Sequence, residues 1–91
     1  MKVRLAPELV KKLKKQDVRI RKNLKIAIDL FSINPQDSRL DNHELQREWE
    51  GFSSIDITSD WRAIFEYKKV GDEIVAYFVA LGTHEELYQE P

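Results

Sequence analysis

The run Ile74-Val75-Ala76-Tyr77-Phe78-Val79-Ala80-Leu81, followed directly by Gly82-Thr83-His84-Glu85-Glu86-Leu87-Tyr88, decides how the other segments are arranged. The first eight residues are apolar on both faces of a strand, which predicts a central strand or one covered by a partner. Gly82 ends this run, and Thr83 and Glu86 have the spacing of a helical capping box. His84 is therefore predicted at the first position of a short helical turn, where unpaired backbone N–H groups suit an anion.

Two more segments with a β pattern precede that strand and are joined to it by short turns. Residues 53–57 alternate between polar and apolar side chains. Residues 61–67 also alternate: one face carries Trp61, Ala63, Phe65 and Tyr67, and the other carries Arg62, Ile64 and Glu66. Turns are predicted at residues 58–60 and 69–72. Three strands linked by hairpins predict an antiparallel sheet.

The first part of the chain is predicted to form a short strand at residues 2–5 and then two helices. Pro7 suits the first turn of a helix, and Asp17 can cap the next one. The clearest helical period comprises Ile20, Leu24, Ala27, Ile28 and Phe31, before Asn34-Pro35 ends the helix. Residues 1–91 thus predict one α+β domain, β-α-α-β-β-β, with an antiparallel sheet packed on a basic helical hairpin and a short C-terminal helical turn.

Residues 35–51 show neither a helical nor a strand period. A segment of this length without regular structure is uncommon in a small domain and is often functional. It contains His43 and Trp49. A short helical turn is predicted around residues 42–47, and the apolar side chains are expected to pin the segment to the body of the domain.

Charge is distributed unevenly along the chain, although the net charge is only −1. Residues 1–25 hold ten Lys or Arg and two acidic residues, whereas residues 26–91 hold five and fourteen. This asymmetry predicts one basic surface. The surface has two interpretations: a solvated helix face, or a surface that contacts phosphates or an acidic partner.

Composition excludes several kinds of site. The chain has no cysteine and only two histidines, which argues against a disulfide framework and a metal site. No glycine-rich loop opens a helix, so no nucleotide cradle is predicted. No apolar run approaches the roughly 20 residues of a membrane span, and the first residues lack a signal-peptide pattern. We therefore expect a cytoplasmic protein without a cofactor.

The polar residues near the strand ends are the candidates for chemistry. His43 and His84 can transfer protons, Asp60 is a carboxylate in a turn, and Arg62 can stabilise a phosphate. Together they would suit cleavage of RNA by its own 2′-hydroxyl group.

Each of these residues also has a structural interpretation. Asp60 can cap its turn, and Arg62 can pair with Glu66 on the same strand face. His43 can be a polar loop residue, and His84 can simply belong to a capped turn.

Four segments in a fixed order carry a resemblance to a known superfamily. They are Leu40-Asp41-Asn42-His43-Glu44-Leu45, Trp49-Glu50-Gly51-Phe52, Ser59-Asp60-Trp61-Arg62-Ala63-Ile64-Phe65 and Gly82-Thr83-His84-Glu85-Glu86-Leu87-Tyr88. Their order and spacing resemble the RelE/ParE toxins across almost the whole chain, and YafQ-like mRNA interferases in particular. The predicted basic hairpin and three following strands agree with this resemblance.

The resemblance implies a toxin of a type II toxin–antitoxin system. Such a protein would cleave mRNA in the ribosomal A site without a metal, and a cognate antitoxin would inhibit it. By position, His43, Asp60 and His84 correspond to residues linked to catalysis, and Tyr88 occupies a usual aromatic position. We add Arg62 as a phosphate ligand. The helices, with Lys11, Lys15, Arg19 and Lys22, would face RNA.

Two features depart from the family pattern and leave other functions open. Asp56 stands where YafQ-like proteins often have a histidine, and the chain is less basic than active members typically are. One alternative is a ParE-like toxin that acts on DNA gyrase. Another is a binding module that retains affinity only for its antitoxin. In either toxin class, an extended or helical antitoxin segment is expected to cover the surface between Arg62 and His84.

Overall fold

The computed structural model describes residues 1–88, which form a five-stranded sheet with two helices packed on one face. The elements in chain order are β1 (Lys2–Leu5), α1 (Pro7–Lys14), α2 (Val18–Ile33), β2 (His43–Glu44), β3 (Ser53–Asp56), β4 (Trp61–Val70), β5 (Glu73–Thr83) and α3 (His84–Leu87). Two 3₁₀ turns, Ser38–Leu40 and Arg47–Trp49, lie within the segment predicted to lack regular structure.

The strand order is β1-β5-β4-β3-β2, which confirms the α+β prediction and makes β5 an interior strand between β1 and β4. The pairs from β2 to β5 are antiparallel. β1 instead runs parallel to β5, because two helices separate β1 from the hairpins and the chain re-enters the sheet at the far side. The sheet is therefore mixed rather than wholly antiparallel.

The helices begin where their predicted caps lie, and their apolar stripes close the core. Pro7 opens α1, and the Asp17 side chain accepts a hydrogen bond of 3.0 Å from the backbone N–H of Ile20. The fully buried Phe31 ring of α2 packs edge-on against Phe65 and Phe78, with centroid distances of 5.0 and 5.3 Å. These rings fix α2 across the centre of the sheet.

Two local predictions are wrong. The turn expected at residues 69–72 is shorter, because β4 continues to Val70 and β5 begins at Glu73, with Gly71 in the left-handed region at φ 61°. Residues 42–47 do not form a helical turn, since His43–Glu44 pairs with β3 at the sheet edge. Edge pairing over two residues has no detectable sequence period.

The described helices are short or amphipathic. Among residues 1–88, none combines the length and apolar character needed to cross a membrane.

Candidate active site

Four polar side chains share the sheet face that points away from the helical core. Ser54 pairs with His43, and Asp56 pairs with Arg62. Paired residues lie on one face and successive residues alternate, so these four lie opposite Ile55, which belongs to the core cluster. This polar face is the first part of the candidate site.

His43 is held in one tautomer by a backbone contact. Its Nδ1 lies 2.8 Å from the carbonyl oxygen of Asp41, which can only accept a hydrogen bond. Nδ1 of the neutral ring therefore carries the proton, and Nε2 is the basic nitrogen. Nε2 lies 3.4 Å from the Ser54 hydroxyl oxygen, and 49% of the His43 side chain is exposed. A neutral His43 can thus accept a proton through Nε2.

Arg62 is turned towards protein groups on its own hairpin. Its Nε lies 2.9 Å from Oδ1 of Asp56. Its Nη1 donates to the carbonyl oxygens of Thr58, Ser59 and Trp61 at 3.0, 3.2 and 3.1 Å. The guanidinium group therefore spans the turn between β3 and β4.

The Asp56 carboxyl lies in a partly buried and highly charged environment. Although Oδ1 is close to Nε of Arg62, the two atoms do not form an aligned hydrogen bond, so the contact is an ion pair. Burial raises the pKa of Asp56, and the Arg62 charge opposes this rise. Asp41 also raises that pKa, and His43 lowers it. Asp56 is thus electrostatically coupled to both His43 and Arg62.

Asp60 and His84 meet where the β3–β4 turn contacts the start of α3. The backbone N–H of His84 donates a 2.9 Å hydrogen bond to the carbonyl oxygen of Asp60. The turn itself is capped by Thr58, whose Oγ1 accepts from the N–H groups of Asp60 and Trp61 at 3.2 and 3.0 Å. Since Thr58 supplies this cap, the exposed Asp60 carboxylate remains available at the surface.

The predicted capping box at Thr83 is formed and holds His84 at the first position of α3. The Thr83 hydroxyl accepts from the Glu86 N–H at 3.2 Å, and the Glu86 carboxylate accepts from the Thr83 N–H at 2.9 Å. The hydrogen bond from the Thr83 N–H to the Glu86 carboxylate is the main cause of the lowered pKa of Glu86. The Lys12 ammonium group, 3.8 Å from that carboxylate, lowers the pKa further. The Glu86 carboxylate therefore binds the Thr83 N–H at the start of α3, and the positive charge of Lys12 partly balances its negative charge.

Tyr88 and Trp49 complete the surroundings of α3. The Tyr88 ring lies edge-on to the His84 ring, with centroids 4.6 Å apart. Trp49 reaches α3 from the segment before β3, and its Nε1 donates a 2.9 Å hydrogen bond to the Leu87 carbonyl oxygen. The Tyr88 hydroxyl is buried and has no hydrogen-bond partner within residues 1–88.

The four basic residues expected to face RNA are all exposed on α1, its C-terminal end or α2: Lys11, Lys15, Arg19 and Lys22. Lys12 behaves differently. Its Nζ lies 5.7 Å from the centroid of a Trp61 ring and close to Glu86, so it connects α1 to the end of the sheet. Four charges thus remain open to solvent while one is used for packing.

A cleft of about 580 Å³ lies beside this site without belonging to it. Glu44, Ser53 and Tyr67 line the cleft together with the residues between β2 and β3. Glu44 pairs with Ser53, which pairs with Phe65 of the core, so these strand residues lie on the helical side of the sheet. None of the candidate catalytic residues lines this cleft.

The structure brings together three of the predicted residues directly. Asp60, His84 and Tyr88 form one contacting group, and Arg62 adjoins it through the Thr58–Trp61 turn. His43 contacts Asp41 and Ser54 instead, and within residues 1–88 it makes no hydrogen bond to Asp60 or His84. The phosphate-binding role of Arg62 stays a prediction, and its partner is Asp56 rather than Glu66.

Sequence reasoning missed three contributions to this site. The apolar residues around Trp49 predict that this segment is pinned to the domain, but no sequence signal indicates the hydrogen bond from Trp49 to α3. The cross-links made by Lys12 and Asp56 depend on tertiary packing, so no local pattern signals them.

Within the described part of the chain, no group of three His, Asp or Glu residues has an arrangement that could hold a metal ion.

Comparison with known families identifies one match over most of the chain. The family model of the bacterial toxin of type II toxin–antitoxin systems, YafQ, matches residues 7–89. A comparison with curated proteins finds no significant match.

Solved structures share the fold over nearly their full lengths. YafQ from E. coli strain BL21(DE3) is 23% identical, with a TM-score of 0.73, covering 94% of this chain and 96% of that one. The YoeB/ParE toxin from Agrobacterium tumefaciens is 17% identical, with a TM-score of 0.73, covering 92% and 99%. The E. coli DinJ–YafQ complex gives 22% identity and a TM-score of 0.59, covering 94% and 96%.

Proposed function

Because the chain belongs to the YafQ family of bacterial toxins of type II toxin–antitoxin systems, we propose that it is an endoribonuclease that cleaves mRNA in the ribosomal A site. The observation that carries this proposal is the hydrogen bond from the His84 backbone to Asp60, with Tyr88 packed on the His84 ring. It brings the residues that carry an imidazole, a carboxylate and an aromatic ring to one end of the β4–β5 pair.

The proposed reaction uses the 2′-hydroxyl of the RNA as nucleophile. His43 accepts the 2′-hydroxyl proton through Nε2, and the 2′ oxygen bonds to phosphorus. The bond from phosphorus to the 5′ oxygen breaks, and protonated His84 supplies a proton to that oxygen. The products are a 2′,3′-cyclic phosphate and a 5′-hydroxyl. Neither step requires a redox change or an external nucleophile.

Asp60 supports the proposed role of His84 as an acid. Its carbonyl oxygen binds the backbone N–H of His84, which fixes the position from which the imidazole reaches the substrate. Tyr88 packs on the same ring, which restricts its orientation and offers an aromatic surface to a nucleobase. These residues define the leaving-group side of the proposed site.

The basic helices supply the proposed contact with ribosomal RNA. Lys11, Lys15, Arg19 and Lys22 are exposed, so their charges can approach phosphates without prior rearrangement. The acidic remainder of the chain, with a charge of −9 over residues 26–91, opposes non-specific RNA binding. Productive binding is therefore proposed to depend on the orientation of the helical surface.

A cognate antitoxin is the proposed protein partner. The E. coli YafQ relative has been solved in complex with DinJ, and this chain shares its fold. The antitoxin is proposed to cover the surface between Arg62 and His84, where Asp60 and Tyr88 are also found. Such coverage would prevent RNA from reaching His84.

The test is cleavage of a defined mRNA on programmed ribosomes by the purified protein. His84→Ala and His43→Ala are each expected to lower the cleavage rate by about 10²-fold or more, since each removes one proton transfer. Asp60→Ala is expected to lower the cleavage rate by a smaller factor than either histidine substitution. Asp72→Ala, which removes an exposed carboxylate from the β4–β5 turn, serves as the matched control.

Other functions correspond to other outcomes of the same experiment. Unchanged cleavage in both histidine variants would disprove the proposed roles. Absence of cleavage by the wild-type protein, together with inhibition of DNA supercoiling by gyrase, would instead support a gyrase-directed toxin. Antitoxin binding without either activity would indicate a binding module.

A further inference from the structure

The guanidinium group of Arg62 has few donors left for a substrate. Arginine carries five N–H donors in a planar fork, and the strongest phosphate contacts use two of them side by side. In this structure Nη1 serves three carbonyl oxygens, and Nε faces Asp56. Nη2 makes no hydrogen bond within residues 1–88, but a side-by-side pair of donors combines Nη2 with Nε or Nη1, so a bidentate phosphate would have to displace one of these contacts.

That turn carries the groups proposed to act on RNA. Arg62 binds the carbonyl oxygens of Thr58, Ser59 and Trp61, which flank Asp60 on both sides. The Asp60 carbonyl oxygen in turn accepts the backbone N–H of His84. These hydrogen bonds thus link Arg62 through the turn to the first residue of α3.

Asp56, the carboxylate partner of Arg62, is influenced by the charge of His43. Asp56, which faces Nε of Arg62, is influenced electrostatically by Asp41 and by His43. The Asp56–Arg62 pair therefore lies between the two halves of the proposed site, which make no direct hydrogen bond to each other within residues 1–88. It is one of the contacts between the two halves, together with the hydrogen bond from Trp49 to Leu87.

Burial makes this pair costly to break. Only 17% of the Arg62 side chain and 31% of the Asp56 side chain are exposed, and Asp56 Oδ1 is buried without an aligned hydrogen bond. Removing Arg62 would leave that carboxylate oxygen without its compensating charge. Burial already raises the pKa of Asp56, so loss of the arginine would favour protonation of the carboxyl.

We infer that Arg62, held by Asp56, is a positioning residue that orients Asp60 and His84 for the reaction, rather than a ligand of the scissile phosphate. The inference rests on the proposed function for its catalytic meaning. Its structural content, the dependence of the His84 backbone contact on Arg62, can be measured without any RNA.

The experiment compares Arg62→Lys and Arg62→Gln in the full-length protein. A lysine retains the charge but cannot serve three carbonyl oxygens and a carboxylate at once. Both variants are therefore expected to lower kcat by about tenfold or more, with KM for programmed ribosomes changed less than about twofold. Lys69→Gln, an exposed cation on the same strand, is the matched control for loss of one charge.

Amide hydrogen exchange supplies the second readout. The His84 amide is expected to exchange about tenfold or more faster in Arg62→Lys than in the wild type, while amides in the centre of β5 keep their protection. Unchanged His84 exchange would overturn the inference, whether or not the wild type cleaves RNA. Full kcat in Arg62→Lys, with a raised and salt-dependent KM in Arg62→Gln, would also overturn it and identify a phosphate ligand.

The two readouts separate this inference from the proposed function. If the wild-type protein does not cleave RNA, the proposed function fails, and faster His84 exchange still supports the positioning role. A general loss of amide chemical-shift dispersion in the NMR spectrum of Arg62→Gln would show that this variant is unfolded. The folded Arg62→Lys variant then decides the result.

Discussion

The indole Nε1 of Trp49 and the carbonyl oxygen of Leu87 form a 2.9 Å hydrogen bond between residues 38 positions apart. Trp49 belongs to a 3₁₀ turn before β3, and Leu87 is the last residue of α3. The bond satisfies a carbonyl at the end of a helix that is only four residues long. It therefore holds the proposed catalytic turn against the segment that follows His43.

Replacing Trp49 by phenylalanine is expected to loosen α3 without removing the aromatic contact at the loop. Phenylalanine can still pack on Phe52, whose ring centroid lies 5.5 Å from that of Trp49, but it cannot donate to Leu87. The free energy of unfolding is expected to fall by about 1–2 kcal/mol, measured by urea denaturation. Cleavage is expected to fall as well. Tyr67→Phe, which removes an exposed polar group elsewhere, is the control.

The capping box predicts different effects for two substitutions at one position. Thr83→Ala removes the hydroxyl that accepts from Glu86, whereas Thr83→Ser retains it. Loss of such a cap typically costs about 1 kcal/mol, which for α3 is a large part of its local stability. Faster amide exchange at Glu86 in the alanine variant alone is the expected result. Equal exchange in both variants would show that the cap does not stabilise the turn.

Asp56 predicts a component of stability that decreases as pH rises. Because its pKa is raised in the folded protein, the folded state binds more protons than the unfolded state above the ordinary value of 3.8. The free energy of unfolding therefore falls as pH increases from about 3.8 through the raised folded pKa. Asp56→Asn cannot ionise, so it is expected to lack this component.

The comparison of wild type and Asp56→Asn isolates that component from other carboxyl groups. Hydrogen bonding to the Arg39 side chain lowers the pKa of Asp37 to about 2, and the pKa of Glu86 is also lowered. These groups add stability as pH rises, but they do so equally in both proteins. Urea denaturation across pH 3–7 should show the wild type losing stability relative to the variant. A relative gain would contradict the raised pKa of Asp56.

The basic helical surface predicts a defined dependence on salt. If Lys11 and Lys15 contact phosphates, replacing both by glutamine should weaken ribosome binding and reduce the slope of log affinity against log salt concentration. The slope is expected to change by about 0.7–0.9 per lost contact. Lys69→Gln, remote on β4, should leave the slope unchanged. The same slope in the double variant would remove these residues from the RNA-binding surface.

Antitoxin binding is expected to protect the proposed active-site surface. Amide exchange of residues 61–81 should slow on addition of the cognate antitoxin, because main-chain or side-chain contacts would cover this surface. Amides of α2, on the other side of the sheet, provide an internal reference. Protection confined to α2, with residues 61–81 unchanged, would place the antitoxin on the opposite face.

Local patterns predicted most of the secondary structure. The caps at Asp17 and Thr83, and the apolar stripe from Ile20 to Phe31, were sufficient because capping and periodicity act over a few neighbouring residues. The short edge strand at His43 was not predictable, since two residues have no period and the pairing with Ser54 depends on a distant strand. The parallel pairing of β1 likewise follows from how the whole chain closes.

From residue order alone it could be inferred that this chain is an α+β domain, that its last apolar strand is either central or covered by a partner, and that His84 begins a capped turn. Those features follow from side-chain alternation and from hydrogen bonds between near neighbours. Only the tertiary structure shows that Arg62 is engaged by Asp56 and that Trp49 closes α3. These contacts depend on strand register and on where a separate loop crosses the sheet, so their energies are shared between residues that are far apart in the chain.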